Sequence, residues 1–244
     1  MSAVPDLKVK LFADGADLAG IKEMAANPAI EGFTTNPTLM RKAGVADYKA
    51  FALQALQVVG GRPISFEVFA DEFGEMEKQA HEIASWGKNI YVKIPVINTR
   101  KEFSGPLVER LSRAGVQVNV TALMTTEQVA RVTERLAPDT PAIISVFAGR
   151  IADTGRDPMP IMAASVKAMK AKPKAELIWA SPRELLNIFQ AGNVGCHIIT
   201  ATNDIVKKLS LVGKDLDDYS LETVEMFYKD AKAAGYSIAA RAAA

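Results

Sequence analysis

A lysine inside an apolar run is the group in this sequence most suited to chemistry. In Asn89-Ile90-Tyr91-Val92-Lys93-Ile94-Pro95 the flanking residues are those of a short strand buried on both faces, bounded by Gly87 and stopped by Pro95. An ammonium is seldom fully buried, because leaving water is costly unless the group is paired or neutral. One reading is a structural lysine, held in a buried ion pair or snorkelling to the strand end. The other is an amine kept neutral by burial, a nucleophile able to form a Schiff base with a carbonyl.

Other polar residues recur near the ends of apolar runs. They are Asp14, then Thr34 and Asn36, then Glu67, then Asn119 and Thr121, then Ser145 with Arg150 beyond it, and lastly Ser181 and Arg183. Each has a plain alternative. Asp14 or Asp17 could cap a helix, and Thr34-Thr35-Asn36-Pro37 could be only a turn. Asn119 could face outward between Val118 and Val120, and the two arginines could be surface charges. Taken together, an acid, a buried lysine, a glutamate, two asparagines, hydroxyls and two arginines favour a reactive site over a solvated rim.

The elements that must hold these residues alternate along the chain. Strand candidates are Lys8–Phe12, Gly32–Thr34, Ile64–Phe69, Ile90–Ile94, Val116–Thr121, Ala142–Phe147, Glu176–Trp179 and Gly195–Ile199. Amphipathic helical patterns follow at Leu18–Ala26, Asp47–Val59, Glu72–Trp86, Lys101–Ala114, Thr126–Leu136, Pro158–Ala171, Pro182–Ala191 and Asn203–Leu211. Thr125–Gln128 fits a capping box and Ser181-Pro182 puts proline at a first turn. Gly60-Gly61, Gly115 and Gly192 fall where helices should stop. Strand–helix alternation of this kind predicts an α/β fold, a (β/α)8 TIM barrel, in which polar residues at the strand C-termini face the site. A doubly wound open sheet is the alternative, but no glycine-rich dinucleotide fingerprint follows the first strand. The predicted organisation is a catalytic barrel over residues 1–218. Residues 219–244, an additional C-terminal helix at Leu221–Ala234 ending at Gly235 and a tail from Ser237 that is frayed or packed on a neighbour, belong to the same domain.

Composition narrows the class. The 244 residues are 49% hydrophobic and 23% charged, the profile of an ordinary globular protein. A net charge of +1 gives no electrostatic case for nucleic acid or an anionic membrane as partner. Met1 to Lys10 has no apolar signal-like core, and no apolar run reaches the roughly 18 residues of a membrane span. The single cysteine, Cys196, excludes an internal disulfide and fits a reducing compartment, so a cytoplasmic location is expected. His81 and His197 are far apart and form no ligand-spaced cluster, which supports the expectation, carried by Schiff-base chemistry at Lys93, that neither a metal nor another cofactor is needed. His81 reads as a solvated helix residue and His197 as structural.

Over nearly its whole length the chain resembles the transaldolase family, a branch of the lysine Schiff-base aldolases. The resemblance rests on Phe12-Ala13-Asp14-Gly15-Ala16-Asp17, Gly32-Phe33-Thr34-Thr35-Asn36-Pro37, Ser65-Phe66-Glu67-Val68, Tyr91-Val92-Lys93-Ile94-Pro95, Asn119-Val120-Thr121 and Ile144-Ser145-Val146-Phe147-Ala148-Gly149-Arg150-Ile151. The resemblance implies Lys93 as Schiff-base lysine and Asp14 as general acid/base, with Glu67 and Thr121 holding the water that shuttles protons. It implies Asn36, Asn119 and Ser145 on the hydroxyls of a dihydroxyacetone unit, Thr34 supporting the wall and Phe147 lining it. Arg150 would bind the sugar phosphate, helped by Ser181 and Arg183. Two departures stand out: the segment Trp179 to Glu184 is shorter than in many relatives, and Gly15 replaces a small hydroxylated residue.

Within the resemblance, fructose-6-phosphate aldolases typically carry Gln where this chain has Glu67 and Tyr where it has Phe147, and lack an asparagine at the Asn119 position. All three positions here are of the transferase type. The implied activity is transfer of a dihydroxyacetone unit between sugar phosphates in the pentose phosphate pathway. The alternatives are a fructose-6-phosphate aldolase, a transaldolase for sulfonated sugars, and a catalytically silent barrel. The apolar stripe Leu221, Val224, Phe227 and Tyr228 of the last helix could cover its own barrel, but small family members commonly assemble as pentamers or decamers, so a homo-oligomer is expected.

Overall fold

In a computed structural model describing residues 7–238, eight parallel strands close into a barrel in sequence order, the last pairing with the first. They are β1 (Lys10–Asp14), β2 (Ile30–Thr34), β3 (Ile64–Glu67), β4 (Ile90–Pro95), β5 (Val118–Leu123), β6 (Ala142–Val146), β7 (Ala175–Trp179) and β8 (Ile198–Thr202). The expected (β/α)8 TIM barrel is therefore the fold. Its outer layer comprises α1 (Leu18–Ala25), α2 (Pro37–Lys42), α3 (Tyr48–Val59), α4 (Phe73–Ser85), α5 (Gly105–Arg113), α6 (Thr126–Arg135), α7 (Ala148–Ala152), α8 (Met159–Ala168), α9 (Leu186–Asn193) and α10 (Asn203–Lys207). A 3₁₀ turn, Lys208–Leu211, and a last helix, α11 (Leu216–Ala233), complete the chain.

The β-branched runs form strands because both faces are buried. Val92, Val118, Val120 and Ile144, which face the helices, have no exposed surface, and neither do Ile178 and Ile198, which face the barrel interior. Inside, Phe12, Ile143, Ile178 and Ile198 pack as a small apolar cluster with Tyr91 and Phe147 against it. Gly32 makes room for this floor, since a Cβ there would come within 2.4 Å of the Phe12 ring.

Three strands lie two or three residues later than the apolar runs indicated: β1, β5 and β8. The run of apolar residues ends before the ladder does. Asp14 still pairs with Thr34 and Thr202, and Thr121 with Pro95. The Thr125 capping box forms as expected, and Gly60 ends α3 at φ +63°. The expected helix at Pro182–Ala191 is corrected to Leu186–Asn193. Ser181 is left-handed at φ +61°, so the chain turns there before any helix begins. Gly192 lies inside α9, and the left-handed residue beyond the helix is Gly195. Helices α2 and α7 were not expected; each is one short turn after a strand.

Helix α11 starts earlier than expected because Asp215 caps it, its carboxylate accepting from the amides of Asp217 and Asp218. None of its residues is buried. Its stripe covers nothing on its own barrel: Leu221, Val224, Phe227 and Tyr228 are each about 60% exposed. Residues 239–244 of the expected tail lie outside the described residues.

Candidate active site

Strand periodicity builds the site. Side chains alternate across a strand, so the residue two positions beyond each floor residue also points inward. Phe12 is followed by Asp14, Tyr91 by Lys93, Ile143 by Ser145 and Ile198 by Thr200. These residues line a cavity of about 520 Å³ at the C-terminal end of the barrel. Thr34, Asn36, Glu67, Thr121, Phe147, Arg150, Ser181 and Arg183 line it too. Asn119, the remaining candidate, lies beneath it with no exposed surface, so its outward-facing alternative is overturned.

Lys93 is 6% exposed, and its Nζ stands 3.0 Å from Glu67 Oε2 on the paired residue of β3. The ammonium also donates to the backbone oxygen of Thr35 at 2.9 Å. This buried pair is the geometry of the structural reading of the lysine, and its carboxylate is also a base placed beside the amine that the other reading requires. Beside it, the Thr121 hydroxyl is buried with no hydrogen-bond partner among the described residues. The next residue, Ala122, is held at φ +65°, where β5 slips register against β6. Backbone of this kind costs about 1–3 kcal/mol and persists where the surroundings over-determine it. Here it turns the strand out of its ladder directly after Thr121.

Asp14 accepts a hydrogen bond from Thr34 Oγ1 at 2.8 Å, and it is Asp17 that caps α1. Burial pushes the Asp14 carboxyl above the usual carboxylate range. The Lys93 charge and the Thr34 hydroxyl oppose that rise, and the Glu67 charge adds to it. Asn119 spans the barrel interior, donating to Ser65 Oγ at 3.0 Å and accepting from Ser145 Oγ at 2.7 Å. Asn36 caps α2 by accepting from the Leu39 amide, which leaves its NH₂ group as the donor available to a ligand. Thr34-Thr35-Asn36-Pro37 is thus a strand end joined to a helix start, with proline in the first turn.

At the mouth, Arg150 stacks on the Phe147 ring, its guanidinium 5.7 Å from the ring centre, and makes no ion pair among the described residues. Arg183 does make one: its Nε donates to Asp153 at 2.8 Å, and a second bond completes a bidentate pair. That pairing holds the Asp153 carboxyl below its ordinary range. Arg183 is therefore neutralised and fixed, and Arg150 is the free cation of the two. Gly149 lets α7 approach the loop after β7 so closely that a Cβ would lie 1.5 Å from the Ser181 backbone oxygen.

Several lining residues were missed. Thr200 lies just beyond the apolar run, which ends at Ile199, although period-two alternation from Ile198 points to it. Lys42 and Thr38 stand on α2, whose six residues give no periodic signal. Ser65 does not line the cavity but is buried behind it as the partner of Asn119, a role that only that contact reveals. His197 is structural, its Nδ1 accepting from the Leu177 amide, and His81 is exposed on α4. No group of three metal-ligating side chains occurs among the described residues.

A family described as Transaldolase/Fructose-6-phosphate aldolase matches residues 11–242. The chain belongs to that family. A probable transaldolase of Dehalococcoides mccartyi is 33% identical over 202 residues, 82% of this chain and 90% of that protein. A probable transaldolase of a Thermoanaerobacter species is 32% identical over 231 residues, 94% of this chain and all of that protein. Among solved structures, a putative dihydrodipicolinate synthase family protein from Coccidioides immitis superposes with a TM-score of 0.59. That match covers 90% of this chain and 77% of the other at 14% identity, a likeness of fold alone. Membership makes the chain an aldolase or transferase enzyme by family, and no helix among the described residues is long and apolar enough to cross a membrane.

Proposed function

We propose that the protein is a transaldolase that moves a three-carbon dihydroxyacetone unit from a ketose phosphate, such as fructose 6-phosphate, to an aldose acceptor through a Schiff base on Lys93. The observation that carries this reading is the Lys93–Glu67 pair, 3.0 Å apart in the floor of a polar cavity. A lysine whose partner is a carboxylate has a base within reach to take its proton. The freed amine attacks the ketose C2 carbonyl, and the carbinolamine loses water to give an iminium. Thr121, whose buried hydroxyl has no partner among the described residues, and Glu67 hold that water. When C3–C4 breaks, its electron pair flows into the iminium to give an enamine. Asp14 takes the C4 hydroxyl proton as the aldehyde leaves. An acceptor aldehyde then captures the enamine, Asp14 returns the proton to the new alkoxide, and water releases the product from Lys93.

A carboxyl raised by burial suits this two-way traffic, because it gives and takes a proton nearer to neutral pH than an exposed one. Asn119, Ser145, Asn36 and Thr34 offer hydroxyl-directed hydrogen bonds from three strands or their ends. Arg150 is the phosphate ligand at the mouth. Ser181 and Arg183 assist, although Arg183 already spends its charge on Asp153, and a sulfonated donor would meet the same cation. The protein works as a cytoplasmic homo-oligomer in sugar-phosphate metabolism, with α11 supplying the contact surface.

Borohydride reduction with fructose 6-phosphate, followed by peptide mapping, tests the chemistry: the adduct must fall on Lys93 and vanish in Lys93→Met. An unlabelled wild-type protein would refute it. Turnover with and without erythrose 4-phosphate, then with sulfonated analogues, separates transfer from simple cleavage and identifies the donor.

A further inference from the structure

A hydroxyl chain ends on Asp14. Thr34 Oγ1 lies 2.8 Å from Asp14 Oδ1 and 2.5 Å from Thr200 Oγ1, with Thr34 3% and Thr200 5% exposed. A hydroxyl carries one proton, so Thr34 can donate to only one of these neighbours at a time. When it donates to the Asp14 carboxylate, the Thr200 proton is satisfied on Thr34, and every hydrogen in the chain has an acceptor. The opposite polarity runs from protonated Asp14 to Thr34 to Thr200. It leaves the Thr200 proton without a protein acceptor among the described residues, since Thr34 is the only hydrogen-bond partner of its hydroxyl there.

We infer that Thr200 is a positioning residue: acting through Thr34, it orients that hydroxyl toward Asp14 and selects the ionised carboxylate that takes the C4 hydroxyl proton. The inference rests on the transaldolase reading of the site and extends it to strand β8. The chain counters the burial of Asp14, so the carboxyl stays able to lose its proton in a site that favours the neutral form. Other charges face Asp14 as well. Lys93 on β4 and Glu67 on β3 act on it directly, Lys42 on α2 and Arg150 and Arg183 at the mouth line the same cavity, and Asp17 before α1 borders its far side. Paired strand β8 brings no titratable group beside it, only Thr200 and Thr202. None of these charges is altered by changing a threonine on β8, which makes the substitution a clean probe.

The experiment is the pH profile of kcat/KM for cleavage of fructose 6-phosphate in the full-length protein. Thr200→Val keeps the shape and removes the hydroxyl, and Thr200→Ser keeps the hydroxyl. Loss of one supporting hydrogen bond should move the acidic limb of the profile up by roughly half a unit to one unit in Thr200→Val. Thr200→Ser should return it to the wild-type position. Thr200→Ala carries the same expectation as Thr200→Val if the valine variant folds poorly. Borohydride labelling of Lys93 must persist in every variant. An acidic limb that stays put in both Thr200→Val and Thr200→Ala overturns the inference, as does a serine variant that shifts as far as valine. A wild-type protein that is not labelled at Lys93 would instead overturn the transaldolase reading itself.

Discussion

Substitution of Gly149 by alanine should separate the mouth of the site from its floor. Gly149 is in α7, and its conformation is not the constraint; the space beside it is. An added Cβ would stand 1.5 Å from the Ser181 backbone oxygen. Since contacts closer than 3.0 Å do not occur, the two segments must part by about 1.5 Å. Ser181 cannot yield easily, because it is already in the left-handed region at φ +61°, and Gly149 donates its amide to Ala180 at 3.3 Å. The displaced parts are Arg150, carried on the same short helix, and Arg183, tied through Asp153 to that helix's end. Misplacement of binding groups by about 1 Å costs on the order of 10²-fold in rate. Steady-state kcat/KM for fructose 6-phosphate should therefore fall about a hundredfold in Gly149→Ala. Borohydride labelling of Lys93 by unphosphorylated dihydroxyacetone should stay within a few-fold of wild type, because β3, β4 and β5 are untouched. Overpacking costs roughly 1–3 kcal/mol, and Tm should drop by about 2–4 °C for each kcal/mol in a chain of this size. A kcat/KM within threefold of wild type would refute the reasoning. So would an equal loss for both substrates, which would mean that the floor depends on α7.

Asp14→Asn should abolish cleavage by about 10²–10⁴-fold while sparing imine formation. It should also stabilise the fold at neutral pH, because a carboxyl raised by burial contributes stability that is present below its unfolded value near 3.8 and lost as pH rises through the folded value. The gain over wild type should vanish in chemical denaturation below about pH 4, and a gain that persists in acid would exclude burial as its cause. Phe147→Tyr adds a phenolic hydroxyl beside the bound three-carbon unit, so release of free dihydroxyacetone without acceptor should rise several-fold; an unchanged ratio of cleavage to transfer would put acceptor commitment elsewhere. Light scattering at micromolar concentration should give an oligomeric mass, with dissociation in the double variant Val224→Asp, Phe227→Asp, and a wild-type monomer would count against the role given to α11.

The barrel was legible because its period is short and local. A strand buried on both faces reads as a β-branched run, and a helix must return it, so alternation along the chain already gives a parallel α/β sheet, and the missing dinucleotide fingerprint favours its closed form over the open one. Lys93 and Glu67 were legible because each interrupts an apolar run, and Asp14 because it follows the end of one. The mouth was not. Arg183 reads as a free cation in sequence, and nothing local shows that Asp153, thirty residues earlier, pairs with it. Helices α2 and α7 are too short to show a period, yet they carry Asn36 at a cap and Arg150 at the rim.

Thr200 marks the boundary between the two cases. Its position follows from the alternation that places Ile198 in the floor, since a strand does not stop pairing where its apolar residues stop. Apolar composition ends where the floor ends, because the next inward layer is the site and must be polar. The hydrogen-bond ladder ignores that change and runs on to Thr202, paired with Asp14. In β1, β5 and β8, then, the strand ends read from hydrophobicity fall short on the side where the chemistry is, and the inward position two residues beyond each of the floor residues Phe12, Tyr91, Ile143 and Ile198 carries a polar group.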